Sequence, residues 1–321
     1  MTMTRRHALG AAVVAAIAPS IVHQGQAAQP AAANQAPGFY RFKVGDLQVT
    51  AINDGVAFRG LEGFIRNAPE ADVRQALSAA FLPSDKMTIP FTTLVVNTGS
   101  KLVLLDTGNG DLGAPTTGMW MTNFKAAGFD PANVDTVLIS HFHGDHINGL
   151  RLKDGTAVFP KAEIMVPAAE WGFWMDDAKM ASAADPMKPA FQNVRRVFGP
   201  IAKDVKQFEW GKEPVTGIST IAAAGHTPGH TAFAIASGNG KLMVMSDTTN
   251  NPAVFARHPD WSAVFDMDGD MAAATRRKML DMAASDRMQV SFYHAAFPAT
   301  GFIAKDGAGF NMVPVSWAPV I

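Results

Sequence analysis

The chain has 321 residues, 48 % of them hydrophobic and 17 % charged, so it can bury a sizeable core and is not a disordered polymer. A formal net charge of −1 lacks the basic field that nucleic acid or an anionic membrane surface would require. Cysteine is absent, which excludes a disulfide framework, a thiolate metal site and a cysteine nucleophile; any metal must be held by histidine, carboxylates or water.

The N-terminus reads as an address. Arg5-Arg6 precede an apolar run over residues 8–21, closed by the small-x-small pattern Gly25-Gln26-Ala27. This pattern predicts a twin-arginine-type signal peptide over residues 1–27, with an uncleaved anchor as the alternative. The run is too short and too alanine-rich for a comfortable membrane span. Export by that route would place the folded protein in the periplasm or outside the cell. It would also remove His7 and His23 from consideration. Residues 28–38 read as a flexible leader, and residues 39–321 as one domain without internal repeat or linker.

Two alternating segments, residues 40–44 and 47–52, flank Gly45-Asp46 and predict a hairpin. Residues 60–65 form a glycine-flanked apolar loop whose Phe64-Ile65 tip either covers something or packs into the core. A helix is expected over 71–81, then strands over 91–97 and 102–105 turned at Gly99-Ser100. The second of these closes on Asp106-Thr107-Gly108, and a carboxylate there can orient a ligand without binding the ion itself. A helix follows over 117–127, then a strand over 134–139.

That strand opens into Ser140-His141-Phe142-His143-Gly144-Asp145-His146, with three imidazoles and one carboxylate in six residues. Side chains at i and i+2 of an extended segment project to the same side, so His141 and His143 can grip one ion. Asp145 and His146 can then face a second, on a loop fixed by a helix beginning near Ile147. The competing reading is a surface histidine cluster without function. Beyond it, a strand is expected over 162–166, and Pro167 at the first position of a helix carrying Glu170, Trp171 and Trp174. Residues 175–189 read as irregular and 191–198 as helical. A strand over 217–223 leads to Gly225-His226-Thr227-Pro228-Gly229-His230. Strands over 231–236 and 241–245 follow, the second closing on Ser246-Asp247. A helix over 270–284 and a strand over 290–292 then deliver Tyr293-His294. Strands in two runs with helices between them predict two packed sheets covered by helices. Asp106, the 141–146 loop, His226, Asp247 and His294 all follow apolar runs and open loops, so they can share one rim. His258 has no motif around it and reads as a surface histidine.

In this order, the 141–146 motif, His226, Asp247 and His294 resemble the successive motifs of the metallo-β-lactamase superfamily over nearly the whole mature chain. Asp106-Thr107-Gly108, Pro115-Thr116-Thr117-Gly118 and the 225–230 motif look most like the methyl parathion hydrolase and lactonase group. So do the steps of 21 residues from His226 to Asp247 and 47 from there to His294. The resemblance implies an α/β fold, a four-layer αββα sandwich with two divalent ions on its edge. Zinc comes first; manganese, cobalt and iron are alternatives. Carried over by position, His141, His143 and His226 would hold one ion. Asp145, His146 and His294 would hold the other, and Asp247 would bridge them. Asp106 would support the ligands from behind, as would His230, which competes with His226 for the ligand role. Such ions, about 3.5–4 Å apart, would share a hydroxide that attacks a carbonyl carbon or phosphorus, with Asp145 and Asp247 as the catalytic carboxylates.

The implied activity is that of an exported dinuclear hydrolase opening lactones or aryl esters, with phosphotriesterase activity beside it. A dedicated phosphotriesterase of the methyl parathion type and a non-catalytic periplasmic metal- or ligand-binding protein are the alternatives. Acyl-homoserine lactone hydrolases of the superfamily commonly carry a tyrosine soon after the bridging aspartate. Here Thr248, Thr249 and Asn250 follow Asp247, and Tyr293 should point away from His294, which weighs against that substrate. Phe64, Ile65, Trp171, Trp174 and Met175 are candidates for an aromatic pocket wall, with core packing as the other reading. Met119, Trp120 and Met121 are candidates for a homodimer interface, because relatives often dimerise. The expected partner is a small ester, lactone or phosphotriester, with no nucleic acid and no stable membrane insertion.

Overall fold

Period-two alternation along the strands sorts this chain into two sheets with three apolar layers, one between them and one on each outer face. The computed structural model describes residues 35–321; the expected signal segment, and the leader as far as residue 34, lie outside them. The first sheet runs in chain order through β1 (Phe39–Val44), β2 (Leu47–Gly60), β3 (Lys86–Asn97), β4 (Leu102–Leu105), β5 (Thr136–Leu138), β6 (Glu163–Pro167) and β7 (Lys206–Phe208). It is antiparallel as far as β4 and parallel from β4 to β7. The second sheet contains β8 (Ile218–Ala222), β9 (Thr231–Ser237), β10 (Gly240–Ser246), β11 (Gln289–Phe292), β12 (Thr300–Asp306) and β13 (Gly309–Pro314), ordered β13-β12-β11-β10-β9-β8. Only β10 and β11 are parallel there.

The helices are α1 (Glu70–Ala79), α2 (Trp120–Ala126), α3 (Gly144–Ile147), α4 (Ala168–Trp174), α5 (Asp177–Ser182), α6 (Lys188–Phe198), α7 (Pro252–Phe255) and α8 (Gly269–Ser285). Leu94, Val96, Val103, Leu105 and Leu138 of the first sheet face Ile218, Phe233, Ile235, Leu242 and Val244 of the second. The intervening Val95, Leu104 and Val137 pack instead under Trp120, Phe124, Ile147, Trp174 and Phe191. On the far side, Met243, Met245, Val290 and Phe292 pack against Met279, Leu280 and Ala283 of α8. The layers are therefore αββα, as the resemblance implied.

Several local expectations shift. α3 is a single turn that begins at Gly144, not near Ile147, so Asp145 and His146 ride on the helix itself. Pro167 closes β6 and precedes α4 instead of opening it. The stretch after Met175 contains α5. The hairpin β12–β13, turned at Gly307 with φ 57°, extends the second sheet beyond the last strand foreseen. Trp120 is core, stacked on Phe124 at 4.4 Å with its indole N–H donating to Thr93 Oγ1 at 2.6 Å, so it offers nothing to a subunit interface.

Two strand ends are bent in the same way. Asp106, just after β4, and Ser246, closing β10, both lie in the left-handed region at φ 59° and 46°. That conformation costs an L-residue about 1–2 kcal/mol, and non-glycine residues held there concentrate at functional sites. The bend turns each chain across the edge of the sandwich. Among the described residues, no helix is long and apolar enough to cross a membrane.

Candidate metal centre

One edge of the sandwich collects polar side chains from both sheets. The loop after β5 supplies His141 and His143, and α3 supplies Asp145 and His146. The loop after β8 supplies His226, the end of β10 supplies Asp247, and a bend after β11 supplies His294. They form two groups: His141, His143 and His226, and Asp145, His146, Asp247 and His294. Within each group the potential ligand atoms lie within 4.8 Å of one another. Asp247 faces both. Its Oδ1 is 3.2 Å from His146 Nε2, and its Oδ2 is 2.9 Å from His294 Nε2 and 3.3 Å from His226 Nε2. His141 Nε2 stands 4.0 Å from the same Oδ2.

The far nitrogens of these rings are held by the protein. His146 Nδ1 donates to Asp106 Oδ2 at 2.9 Å, and His226 Nδ1 to Asp266 Oδ1 at 2.9 Å. His294 Nδ1 donates to the Pro90 carbonyl at 2.8 Å, and His141 Nδ1 to Ser140 Oγ at 3.1 Å. Ser140 in turn gives its hydroxyl and backbone N–H to the two oxygens of Asp106, each at 2.8 Å, and accepts from Ser246 Oγ at 2.8 Å. A histidine whose Nδ1 is donated outward presents its Nε2 lone pair inward, the tautomer that a metal ligand needs. His143 is turned the other way, with Nδ1 2.9 Å from His226 Nε2.

Those inward atoms are the test of fit. His141 Nε2, His146 Nε2 and Asp247 Oδ1 are buried without a hydrogen-bond partner. An unsatisfied buried polar atom costs about 1–3 kcal/mol. A cluster of such atoms, all imidazole nitrogen or carboxylate oxygen, suits zinc and its first-row neighbours. The electrostatics agree. Burial drives His141 well below the ordinary imidazole range, and with the neighbouring His226 brings His143 to about 3. Burial also acts on His226, but the Asp247 and Asp266 carboxylates outweigh it and raise that ring to about 9. The same contest raises His146 and His294. Burial works against ionising Asp145 and Asp247, yet the facing imidazoles bring Asp145 down to about 2 and Asp247 well below the usual range. Protons on the rings thus balance the carboxylates, and divalent cations would displace them.

All seven expected ligands are brought together, and Asp106 stands behind His146 as expected. His230 is placed differently. Its Nδ1 donates to the Ala223 carbonyl at 2.9 Å, and its Nε2 accepts the Asp247 backbone N–H at 3.0 Å, so it steadies Asp247 rather than His226. These partners hold His230 neutral, with burial bringing it to about 3. His258 is half-buried and stacked on Trp261 at 4.0 Å, apart from both groups. Tyr293 stays out of the cleft; its ring lies 3.8 Å from that of His146, and its hydroxyl donates to the Asp145 carbonyl at 2.6 Å.

The expected pocket wall is overturned. Phe64 and Ile65 pack with Val73, Leu77 and Met87, and Phe64 meets Phe265 edge-on at 5.6 Å. Trp174 is buried behind His143, and Trp171 and Met175 pack on the same helical layer. The cleft over the two groups, about 570 Å³, is lined instead by Phe58, Ile89, Phe91, Leu112 and Phe265, with Asn109 and Asn250 among them. Sequence reasoning also missed Asp266, the Pro90 carbonyl and the Ser140–Ser246 link. Asp266 follows His226 by 40 residues with no motif of its own, and a backbone carbonyl carries no sequence signal at all.

The sequence model described as the metallo-beta-lactamase superfamily matches residues 88–294. No curated protein matches the chain. Among solved structures, it is similar to AidC, a dizinc quorum-quenching lactonase in complex with the product N-hexanoyl-L-homoserine. That match has 29 % identity, a TM-score of 0.83, and coverage of 88 % of this chain and 98 % of that one. The hydrolase AbOPH of the β-lactamase superfamily matches at 26 % identity and a TM-score of 0.83, covering 89 % and 100 %. A probable metal-dependent hydrolase from Staphylococcus aureus shares the fold at 21 % identity and a TM-score of 0.69, covering 87 % and 100 %.

Two outcomes follow for ion binding. Asp266→Asn should weaken binding at the three-histidine group, and Asp106→Asn at the other, each by about 10–100-fold, the usual effect of losing an outer partner. Stepwise metal titration would show this, and equal weakening of both ions by either variant would contradict it. Loading the ion-free protein at neutral pH should also release protons, because His226, pushed up to about 9, must lose its proton to bind. Apparent affinity should therefore rise with pH toward about 9. Calorimetry in buffers of different ionisation enthalpy measures the release; a buffer-independent heat would refute it.

Proposed function

The chain belongs to the metallo-beta-lactamase superfamily, and we propose that within it the protein is a dinuclear metal-dependent hydrolase that opens lactones. The observation that carries this reading is Asp247, one carboxylate shared by two imidazole groups on the floor of an apolar cleft. Two divalent ions held by those groups would supply Lewis-acid polarisation of a carbonyl and a water acidic enough to act near neutral pH.

The chain's own residues do the rest. Phe58, Ile89, Phe91, Leu112 and Phe265 take the apolar body of the substrate and keep bulk water from it. Asp145, whose side chain is 23 % exposed at the cleft, is the ionised group that can take the proton given up by the attacking water on Oδ2 and pass it to the alkoxide oxygen released when the ring opens. Asn109, which lines the cleft, gives its amide and backbone N–H groups to Asp54 at 2.8 and 2.7 Å, and its side-chain carbonyl is left over as an acceptor. Asn250 accepts the Asn251 N–H on its oxygen at 3.0 Å, which leaves its NH₂ as a donor. Asn250 can thus supply a donor in the segment where acyl-homoserine lactone hydrolases carry tyrosine. The likeness to AidC supports admitting that substrate class.

The test is a panel of N-acyl homoserine lactones, dihydrocoumarin, aryl esters and paraoxon on protein of measured metal content. Lactones should be turned over best, chelation should abolish the activity, and Zn²⁺, Mn²⁺ or Co²⁺ should restore it. Asp247→Asn should lower kcat/KM by at least about 100-fold, the scale that loss of an outer partner alone reaches. Turnover of paraoxon without lactones would replace this reading with a phosphotriesterase. We place the action outside the cytoplasm on Arg5-Arg6 and the following apolar run. Lysine at both positions should then hold the protein in the cytoplasmic fraction, and unchanged export would sink that assignment.

A further inference from the structure

We propose that Glu170 is a positioning residue that holds the three-histidine half of the centre, and only that half, in its ion-binding geometry. The inference rests on the two-ion reading above but not on the choice of substrate.

Glu170 lies on α4 and is completely buried. Its carboxylate accepts three hydrogen bonds. Oε2 takes the Phe142 backbone N–H at 3.0 Å and the Trp174 indole N–H at 2.8 Å, and Oε1 takes the Gly229 backbone N–H at 2.7 Å. Each of these partners is a donor and so favours the ionised carboxylate, but burial outweighs them and pushes its pKa up, and among the described residues no lysine or arginine pairs with it. A buried charge without a cationic partner is costly to keep.

Its position explains the expense. Phe142 stands between His141 and His143, and Gly229 lies three residues after His226. One carboxylate therefore ties together the two loops that supply all the imidazoles of the first group. The fit is close: a Cβ on Gly229 would lie 2.3 Å from the Glu170 nitrogen, so that loop can sit on the helix only as glycine. The other group is held without Glu170, by Asp106 behind His146, Pro90 behind His294 and His230 behind Asp247. The three histidines are neutral ligands when they bind, and Glu170 places a negative charge directly behind their loops.

Glu170→Gln is the discriminating variant. An amide must turn its NH₂ either to Gly229 or to Phe142 and Trp174, so one loop faces a donor where it had an acceptor. The ion-free full-length chain would be titrated with Co²⁺, followed by calorimetry and visible absorption, in two backgrounds. His294→Ala leaves the three-histidine half complete, and His226→Ala leaves the other. Glu170→Gln should weaken Co²⁺ binding by about 10–100-fold in the first background, the scale of losing an outer partner. It should change nothing beyond error in the second. Equal weakening in both, or a lower Tm with both affinities intact, would mean a role in folding alone and overturn the proposal. If Glu170→Gln does not fold, Glu170→Asp keeps the charge but is too short to span both loops, and the same selective loss is expected. Wild-type chain that binds only one ion would overturn the two-ion reading and this inference together, whereas with two ions bound and lactones untouched the selective loss of Co²⁺ affinity would still support the role of Glu170.

Discussion

The carboxylate of Asp247 stands among four imidazoles, two from each half of the centre, within 4.0 Å of each. Everything around it serves to keep that arrangement from collapsing. A buried carboxylate among protonated rings is an ordinary ion-pair cluster. The same carboxylate among rings whose outer nitrogens are already engaged is a candidate ligand set. Asp106, Asp266, Ser140 and the Pro90 carbonyl make that difference by taking the outer N–H of four histidines. What remains inside is a concentration of lone pairs, stable only when protons or cations share it.

The sandwich supplies the rigidity this needs. Ser246 at the end of β10 donates to Ser140, which donates to Asp106 at the end of β4, so one hydrogen-bond chain stitches the two sheets together at the edge carrying the site. The left-handed backbones of Asp106 and Ser246 belong to the same device. They turn two strand ends inward at some local cost, and the packed cores on both sides of each sheet hold them there. Tyr293 adds a further brace, its ring on His146 and its hydroxyl on the Asp145 backbone.

The cleft is built on a different logic. Its apolar lining comes largely from β2, β3 and the turn after Asp106, elements of the first sheet's antiparallel edge, together with Phe265. The candidate ligands come instead from the loops and bends at strand ends and from α3, and the two sets meet on β3, where the Pro90 carbonyl between Ile89 and Phe91 holds His294. The two fixed amides, Asn109 and Asn250, are the polar groups that would orient a substrate there.

The sequence by itself determined the layered fold and put the candidate ligands at its strand ends. Ion ligands must be histidine or carboxylate in a chain without cysteine, and here each follows an apolar run that ends in a loop. Types, order and strand ends were all written locally. Apart from Asp106, which the sequence already put behind the cluster, only the tertiary structure decided what stands behind the candidate ligands. Asp266 reaches His226 across 40 residues, Pro90 reaches His294 across 204, and Glu170 joins two loops on either side of it. Such contacts depend on how sheets and loops meet, and a backbone carbonyl or N–H is the same in every residue. The pocket wall escaped for a related reason. Phe64 and Trp174 are as apolar as Phe91 and Phe265, and composition does not say which aromatic faces a core and which faces a cleft. That choice belongs to the packing, which buries the first pair and brings the second to the cleft over Asp247.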